Sequence, residues 1–492
     1  METPSFKEDH ISQIPALQML QKLGYTYLSP AEAERLRNGK TSNVLLEDIL
    51  RSQLNEINSI RVSATKTAIF SDANIENGIR ALKELPMNEG YIAASEMVYN
   101  LLTLGKALEQ SIDGDKKSFT LQYIDWKNIE NNVFHVTEEY SVMRSMSKEH
   151  YRPDLVLFIN GIPICIIECK RPDMKEPLAQ AISQHLRSQQ EDGIRGLYVY
   201  SQMILSIATQ EAAFATNGTP EKFWAKWHEK FNSENEEVDY RNTLQELKNQ
   251  PLTSEQKEKL FAERFKYVRH YFDALESENI LPVIQDEYLY GLCRPERLME
   301  FIFSFILFDN GEKKIARYQQ YFAIKKSMMR LTHVEGGRRK GGVIWHTQGS
   351  GKSLTMVMLA QAIAMEKSIR NPKIVLVTDR TDLDDQITKT FRKCGKFVEN
   401  AYTGQRLVEL LESKSDAVVT TIINKFVAAV RKIKPPLESY DIFVLVDEGH
   451  RSQYGTFNIE MQKTLPNACF IAMTGTPLFK KDKSTAAKFG GI

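Results

Sequence analysis

No run of about 18 apolar residues occurs anywhere in the chain, so nothing in it spells a membrane-crossing helix. The opening residues, Met1 to His10, are too polar for a secretory leader. An excess of either charge is also missing: 64 Lys and Arg face 63 Asp and Glu, for a formal net charge of +1. A nucleic-acid partner must therefore be met by local patches, because no global positive field exists to attract it. Cysteine is sparse. The five residues Cys165, Cys169, Cys293, Cys394 and Cys469 show no Cys-x-x-Cys spacing and so no zinc site, and three of them sit in apolar runs. They read as reduced and buried, which predicts a soluble, cytoplasmic protein without a membrane partner. Repeats and low-complexity segments are absent too.

What is present is organised around Gly342-Val-Ile-Trp-His-Thr-Gln-Gly-Ser-Gly-Lys-Ser-Leu354, an apolar strand running into a glycine loop and then a helix rich in Met, Leu and Ala. Such a loop leaves backbone N–H groups aimed, with the N-terminus of the next helix, at a polyphosphate. The pattern Gly-x-x-x-x-Gly-Lys-Ser fits except at its first position, where His346 stands. Thr347, Gln348, Gly349, Ser350 and Gly351 would cradle the phosphates of ATP, Lys352 would reach the β- and γ-phosphates, and Ser353 would ligate Mg²⁺.

Downstream, Asp447-Glu-Gly-His450 ends an apolar strand and Thr474-Gly-Thr-Pro477 ends another. Asp447 is the expected Mg²⁺ ligand, Glu448 both a nucleotide-site residue and the base that polarises the attacking water. His450 is expected to link this pair to Thr474 and Thr476. Gln319 or Gln320 could read the adenine edge. Arg380 and Asn424-Lys425 fall where a nucleic-acid backbone would pass, although loop solvation explains such residues as well; Arg338-Arg-Lys340 reads as a plain surface loop.

A second chemical site lies upstream. Pro153-Asp154 and Glu168-Cys-Lys170 fall on two apolar runs joined by Asn160-Gly161, the strongest short-range hairpin signal. Glu168 and Lys170, two apart, share one face of their strand. Two converging carboxylates, Asp154 and Glu168, bind Mg²⁺, and Lys170 can position the attacking water and stabilise the developing charge at phosphorus. The bland alternative is a solvated pair at a strand end. It is weakened by the buried run Ile162-Pro-Ile-Cys-Ile-Ile167 that precedes Glu168, where a charge is costly unless paired or used. Gln184, on the following helix, is a candidate accessory group; Glu8 and Glu47, on the opening helices, read as ordinary exposed glutamates.

The predicted order is short helices over 6–23, closed by Gly24, and over 43–58, capped by Thr41-Ser42. A mainly antiparallel sheet follows, with strands at 118–125, 132–137, 152–159, 162–170 and 196–208 and a helix at 176–190. Charged helices over 230–265 suggest a domain boundary near residue 260, and 294–308 reads as one apolar helix. Strand-helix alternation from residue 342 onward means a parallel sheet covered on both faces.

These motifs, together with Arg294-Pro-Glu-Arg, Ala316-Arg-Tyr-Gln-Gln and Val377-Thr-Asp-Arg-Thr-Asp-Leu-Asp-Asp-Gln386, resemble the R (restriction and translocation) subunit of type I restriction-modification enzymes over about 120–480. The resemblance implies an α/β chain: a PD-(D/E)xK nuclease-like domain over 1–260, with its core at about 115–210, then a RecA-like superfamily 2 helicase lobe over 261–492. It implies a type I site-specific deoxyribonuclease that uses ATP and Mg²⁺ to pull double-stranded DNA past methyltransferase and specificity subunits. S-adenosylmethionine would be met on those partners. Departures from the family pattern are Gly449 in place of alanine and Ser188 in place of the tyrosine that follows the nuclease-helix glutamine. The sequence also stops at Ile492, before the second motor lobe, its arginine finger and the helical docking region that family members carry.

Three readings compete. One is the N-terminal part of an ATP-dependent endonuclease and DNA translocase, expected to bind Mg-ATP but hydrolyse it barely without the second lobe. Another is a nucleotide-gated DNA-binding and assembly module without turnover. A type III restriction or stand-alone helicase-nuclease is disfavoured, because here the nuclease precedes the motor.

Overall fold

The computed structural model describes residues 7–63, 65–335, 338–345, 351–378, 398–413, 417–447 and 463–475, with the side chains of residues 335, 423 and 424 set aside. The chain forms two compact units, Met1–Ile306 with Gly311–Arg317, and Leu307–Asn310 with Tyr318–Ile492.

The first unit is built on a six-stranded sheet whose strands lie side by side in chain order. They are β1 (Thr26–Leu28), β2 (Phe134–Glu138), β3 (Leu155–Ile159), β4 (Ile162–Lys170), β5 (Met203–Ala208) and β6 (Glu211–Ala215). The sheet is mixed: β2 with β3, β3 with β4 and β5 with β6 are antiparallel, whereas β1 with β2 and β4 with β5 are parallel. The parallel step from β4 to β5 needs a crossover, supplied by the helix Pro177–Ser188. Every residue of β4 is buried, as its near-continuous apolar run dictates. Pro163 sits inside this central strand where the ladder with β3 shifts register, which is where a residue without an N–H is tolerated. The β3–β4 turn takes the expected form, with Asn160 at φ 52° and Gly161 at φ 80°. A Cβ on Gly161 would lie 2.6 Å from the Leu46 carbonyl oxygen.

Several sequence expectations are corrected here. The 43–58 segment becomes helical only at Glu47–Ile57, with Leu46 at its start and no side-chain cap; Thr41 instead bonds His150. Residues 115–121 pair with 106–112 in a separate hairpin, outside the main sheet. The segment expected as one strand over 196–208 begins as a helix, Arg195–Tyr198, before β5. The boundary expected near residue 260 lies inside the first unit. Later helices pack on its sheet: Gln285 exchanges hydrogen bonds with Ser12 at 2.7 and 2.9 Å, Asp286 pairs with Lys248 at 2.9 Å, and Phe301 meets Trp227 edge-on at 5.5 Å. The apolar segment 294–308 divides into the helix Pro295–Ser304 and the strand Ile306–Asp309.

The second unit holds the expected parallel sheet. Its strands are β7 (Gly342–Trp345), β8 (Lys373–Thr378), β9 (Val398–Asn400), β10 (Ala417–Ile422), β11 (Ile442–Asp447) and β12 (Cys469–Thr474), in the order β7-β12-β11-β8-β10-β9. All pairs are parallel. Helix Tyr318–Thr332 precedes the sheet and Lys352–Met365 follows β7. The residues Arg338 to Lys340 are not a plain surface loop: Arg339 is nearly buried, pairing with Asp441 at 3.0 Å and donating to the Leu331 carbonyl.

Candidate active sites

Asp154 lies just before β3, and Glu168 and Lys170 lie on β4 beside it. Antiparallel register pairs Ile167 with Leu155, which sets Asp154, Glu168 and Lys170 on one face of the sheet. Asp154 is 7% exposed, Glu168 0% and Lys170 8%, so all three are taken out of water. Asp154 Oδ2 accepts the Cys169 backbone N–H at 2.7 Å and lies 3.4 Å from Lys170 Nζ. Lys170 Nζ also donates to the Cys169 carbonyl at 2.8 Å. Gln13 donates to the Asp154 carbonyl at 3.1 Å and so ties the N-terminal helix to this point.

Glu168 is the costly member. Neither of its carboxylate oxygens has a hydrogen-bond partner. Burial, and then the neighbouring Asp154 carboxylate, hold its pKa well above the ordinary glutamate range. Burial works against the Lys170 ammonium, but Asp154, Glu168 and Glu8 outweigh it and hold its pKa above the ordinary lysine value. Glu8 is the residue that sequence reasoning set aside and the structure brings in, with Oε1 3.7 Å from Lys170 Nζ. Glu47 is not brought in: Asn43 and Lys83 take its carboxylate.

Unpartnered, buried carboxylate oxygens beside a second carboxylate fit a divalent cation better than they fit an apo resting state. Among the described residues no group of three or more His, Cys, Asp and Glu side chains is arranged to hold a metal. Asp154 and Glu168 would therefore supply part of an ion's shell and leave the rest to water or phosphate, as Mg²⁺ commonly accepts.

The second site forms at the carboxyl edge of the parallel sheet. Trp345 pairs with Thr474, and Asp447 with Met473, so β7, β12 and β11 end side by side. Ligands of open α/β sheets bind at this edge. Gly351 has φ 81° and precedes the helix that begins with Lys352 and Ser353, both half-buried. Of the two candidate glutamines, Gln320 is buried against this helix start, donating to the Gly351 carbonyl and to Thr355 Oγ1, each at 3.2 Å; Gln319 is exposed. A Cβ on Gly351 would come within 2.8 Å of the Gln320 amide nitrogen. Thr474 is 3% exposed and Asp447 half-buried. His346, Thr347, Gln348, Gly349, Ser350, Arg380, Glu448, His450 and Thr476, and the side chain of Asn424, lie outside the described residues. Lys425 is described: its ammonium lies 5.8 Å from the ring of Tyr402, which is 70% exposed.

Comparison with known proteins joins the two sites. Residues 5–223 match the family described as the type I restriction enzyme R protein N terminus, and residues 319–492 match the SWI2/SNF2 ATPase family. A protein of Methanocaldococcus jannaschii described as the MjaIXP type I restriction enzyme endonuclease subunit is 30% identical over 99% of this chain and 44% of its own length. The chain is a relative of the type I restriction endonuclease subunits. The HindI type I endonuclease subunit of Haemophilus influenzae is 28% identical over 98% of this chain and 44% of its own length. The chain thus spans less than half the length of these relatives, and combines an R-protein N-terminal domain with a helicase-type ATPase lobe.

Within that frame, the helix Pro177–Ser188 carries Gln184 half-buried. Its buried face is Ala181, Ile182, His185 and Ser188. His185 was not singled out from sequence, yet it is fully buried, bonding Tyr198 Oη at 2.8 Å and the Leu205 carbonyl at 2.9 Å. Burial pushes its pKa down to about 3, so it stays neutral and structural. The signal that could have found it is weak: one histidine at core spacing on an amphipathic helix.

Proposed function

We propose that this chain is the nuclease and first motor lobe of a type I restriction subunit, cleaving double-stranded DNA while ATP hydrolysis drives translocation. The carrying observation is the buried set Asp154, Glu168 and Lys170, in which Glu168 has no hydrogen-bond donor of its own. Asp154 and Glu168 would hold Mg²⁺. The chemistry that such an ion supplies is charge neutralisation at the scissile phosphate and a more acidic bound water. Asp154 is fixed through Oδ2 by the Cys169 N–H, and its Oδ1 would serve the ion. Lys170, held protonated by the surrounding carboxylates, orients the attacking water and offsets charge developing on the phosphate oxygens. Glu8 adds a third carboxylate from the N-terminal segment, engaged with Lys170. Gln184 would orient DNA from the crossover helix.

On the motor side, Lys352 and Ser353 would meet the triphosphate and its Mg²⁺, with Thr347, Gln348, Gly349, Ser350 and Gly351 as the backbone cradle. Asp447 and Glu448 would act as metal ligand and base, and His450, Thr474 and Thr476 would couple the site to the next strand end. Gln320, seated against the loop end, takes the adenine contact left open between two glutamines. Lys425 and Tyr402 offer a cation and an exposed ring to a nucleic-acid backbone and its bases. Methyltransferase and specificity subunits, with S-adenosylmethionine bound to them, would complete a cytoplasmic enzyme. Among the described residues no helix is long and apolar enough to cross a membrane.

The test is cleavage by the assembled full-length enzyme carrying Asp154→Ala or Lys170→Ala. Both variants should translocate and hydrolyse ATP but not cut. Continued cutting would remove the nuclease assignment. The gated-module reading predicts instead that the parent enzyme binds ATP and DNA and turns over neither.

A further inference from the structure

On the side of the N-terminal helix Ile14–Lys22 away from Gln13, the first unit encloses a hollow of about 340 Å³. Its walls include Met19, Lys22, Tyr271, Phe272 and Leu275, so one side is apolar and aromatic. His10, stacked on Tyr271 at 6.2 Å, closes one end. Lys22 is the anomaly. It is half-buried, and its ammonium donates to the Lys248 carbonyl at 2.8 Å, but no carboxylate lies within ion-pairing distance among the described residues. The nearby acids are engaged elsewhere: Asp286 by Lys248, and Glu276 by Lys257. Glu278, at the rim, is exposed. Burial, and then the adjacent Lys248, push the Lys22 pKa down to about 8, so it is still largely protonated at neutral pH and repels a second cation. Asp286 and Glu276, the latter also lining the hollow, oppose that shift from a distance but are paired with their own lysines. A sheltered cation with no ion pair of its own among the described residues, lining a hollow near the lower limit of small-molecule sites, calls for an anion.

We propose that this hollow binds a small organic anion, a planar ring bearing a phosphate or carboxylate, with the anionic group on Lys22 and the ring against Tyr271. Phosphate and carboxylate share the chemistry that Lys22 recognises, and the ring is what the aromatic wall adds. The site stands apart from the nuclease and ATP assignments, and its test reads binding alone.

Titration calorimetry of the full-length protein with phenyl phosphate, benzoate and inorganic phosphate decides it. At least one aromatic anion should bind saturably and about tenfold more tightly than inorganic phosphate, a difference of ~1.4 kcal/mol. Lys22→Met should weaken that binding about tenfold or more, and Lys22→Arg should retain most of it. Leu275→Trp fills the hollow without touching charge and should abolish binding, which keeps the test decisive if Lys22→Met does not fold. No saturable binding of either aromatic anion, equal affinity for inorganic phosphate, or binding unchanged in Lys22→Met or Leu275→Trp would each overturn the proposal.

Discussion

The two sheets place their chemistry in opposite parts. In the mixed sheet, Glu168 and Lys170 sit within a fully buried strand, and the hairpin register brings Asp154 to them. In the parallel sheet the strands are hydrophobic spacers, and the reactive groups begin where the strands end, at Trp345, Asp447 and Thr474. Strand-borne groups are held by the backbone ladder and their own packing, which gives precision at the cost of burying charge. Edge-borne groups cost the fold less, because the strand ends leave Asp447 half-buried and Thr474 carries no charge to desolvate. One site is therefore strained before its ligands arrive, and the other is completed by its ligand.

The sharpest way to break this contrast is to remove one cation from each site of the assembled full-length enzyme. Lys170→Ala should lower DNA cleavage by roughly 10²–10³ or more while leaving DNA-stimulated ATPase activity within twofold, read from plasmid linearisation and phosphate release. Lys352→Ala should lower ATP hydrolysis by about 10²–10³ and cleavage along with it, because the proposed function makes cutting depend on the motor. If Lys170→Ala impaired both activities equally, the two sites would not be separable as described.

A smaller effect separates the glutamines. Gln320 donates to the Gly351 carbonyl and Thr355, whereas Gln319 is exposed. Gln320→Ala should weaken ATP binding about tenfold, the worth of one or two hydrogen bonds, and Gln319→Ala less than twofold. A competition measurement with a fluorescent ATP analogue checks both. Comparable losses in the two variants would return the adenine contact to an open choice.

How much of this could be read from the residues follows the same contrast. The Asn160-Gly161 hairpin was legible because a tight turn demands positive φ at both positions, and the apolar run of β4 was legible because a strand buried on both faces has no alternation to hide. Strands β8, β10, β11 and β12 of the parallel sheet were legible for the latter reason and β7 by the glycine loop that follows it, while β9, three half-buried residues, was not. Strand β1 escaped notice because three residues carry no periodicity. The end of the first unit was misplaced because charge marks solvent exposure and says nothing of packing: the acidic helix Glu234–Asn249 still docks through Leu244 and Lys248. Glu8 was discounted for a related reason. A helix-region glutamate looks the same whether it faces water or Lys170, and only the tertiary approach at 3.7 Å distinguishes the two.

A prediction on stability rather than activity tests whether the mixed sheet carries buried acid beyond the proposed catalytic set. Glu138, at the end of β2, is 0% exposed; Tyr27 donates to Oε1 at 2.9 Å, and Oε2 has no partner. Burial raises its pKa to about 7, partly opposed by the Tyr27 hydroxyl and Arg264. In the unfolded chain a glutamate titrates near ~4.3. Below that pH both states are protonated and Glu138 costs nothing. As pH rises through the interval up to about 7, the unfolded state releases its proton first, so the folded state loses stability, and above about 7 the full penalty applies. The penalty is about 3–4 kcal/mol, and Glu138→Gln should remove most of it while still accepting from Tyr27. The variant and parent should then melt together at acid pH, and the variant should melt higher at alkaline pH. Glu168, raised in the same direction, remains in both proteins and cancels from the difference. A variant displaced by the same amount at both pH values would show that Glu138 acts through packing, and that the destabilising buried acid of this sheet is confined to the Asp154 and Glu168 pair.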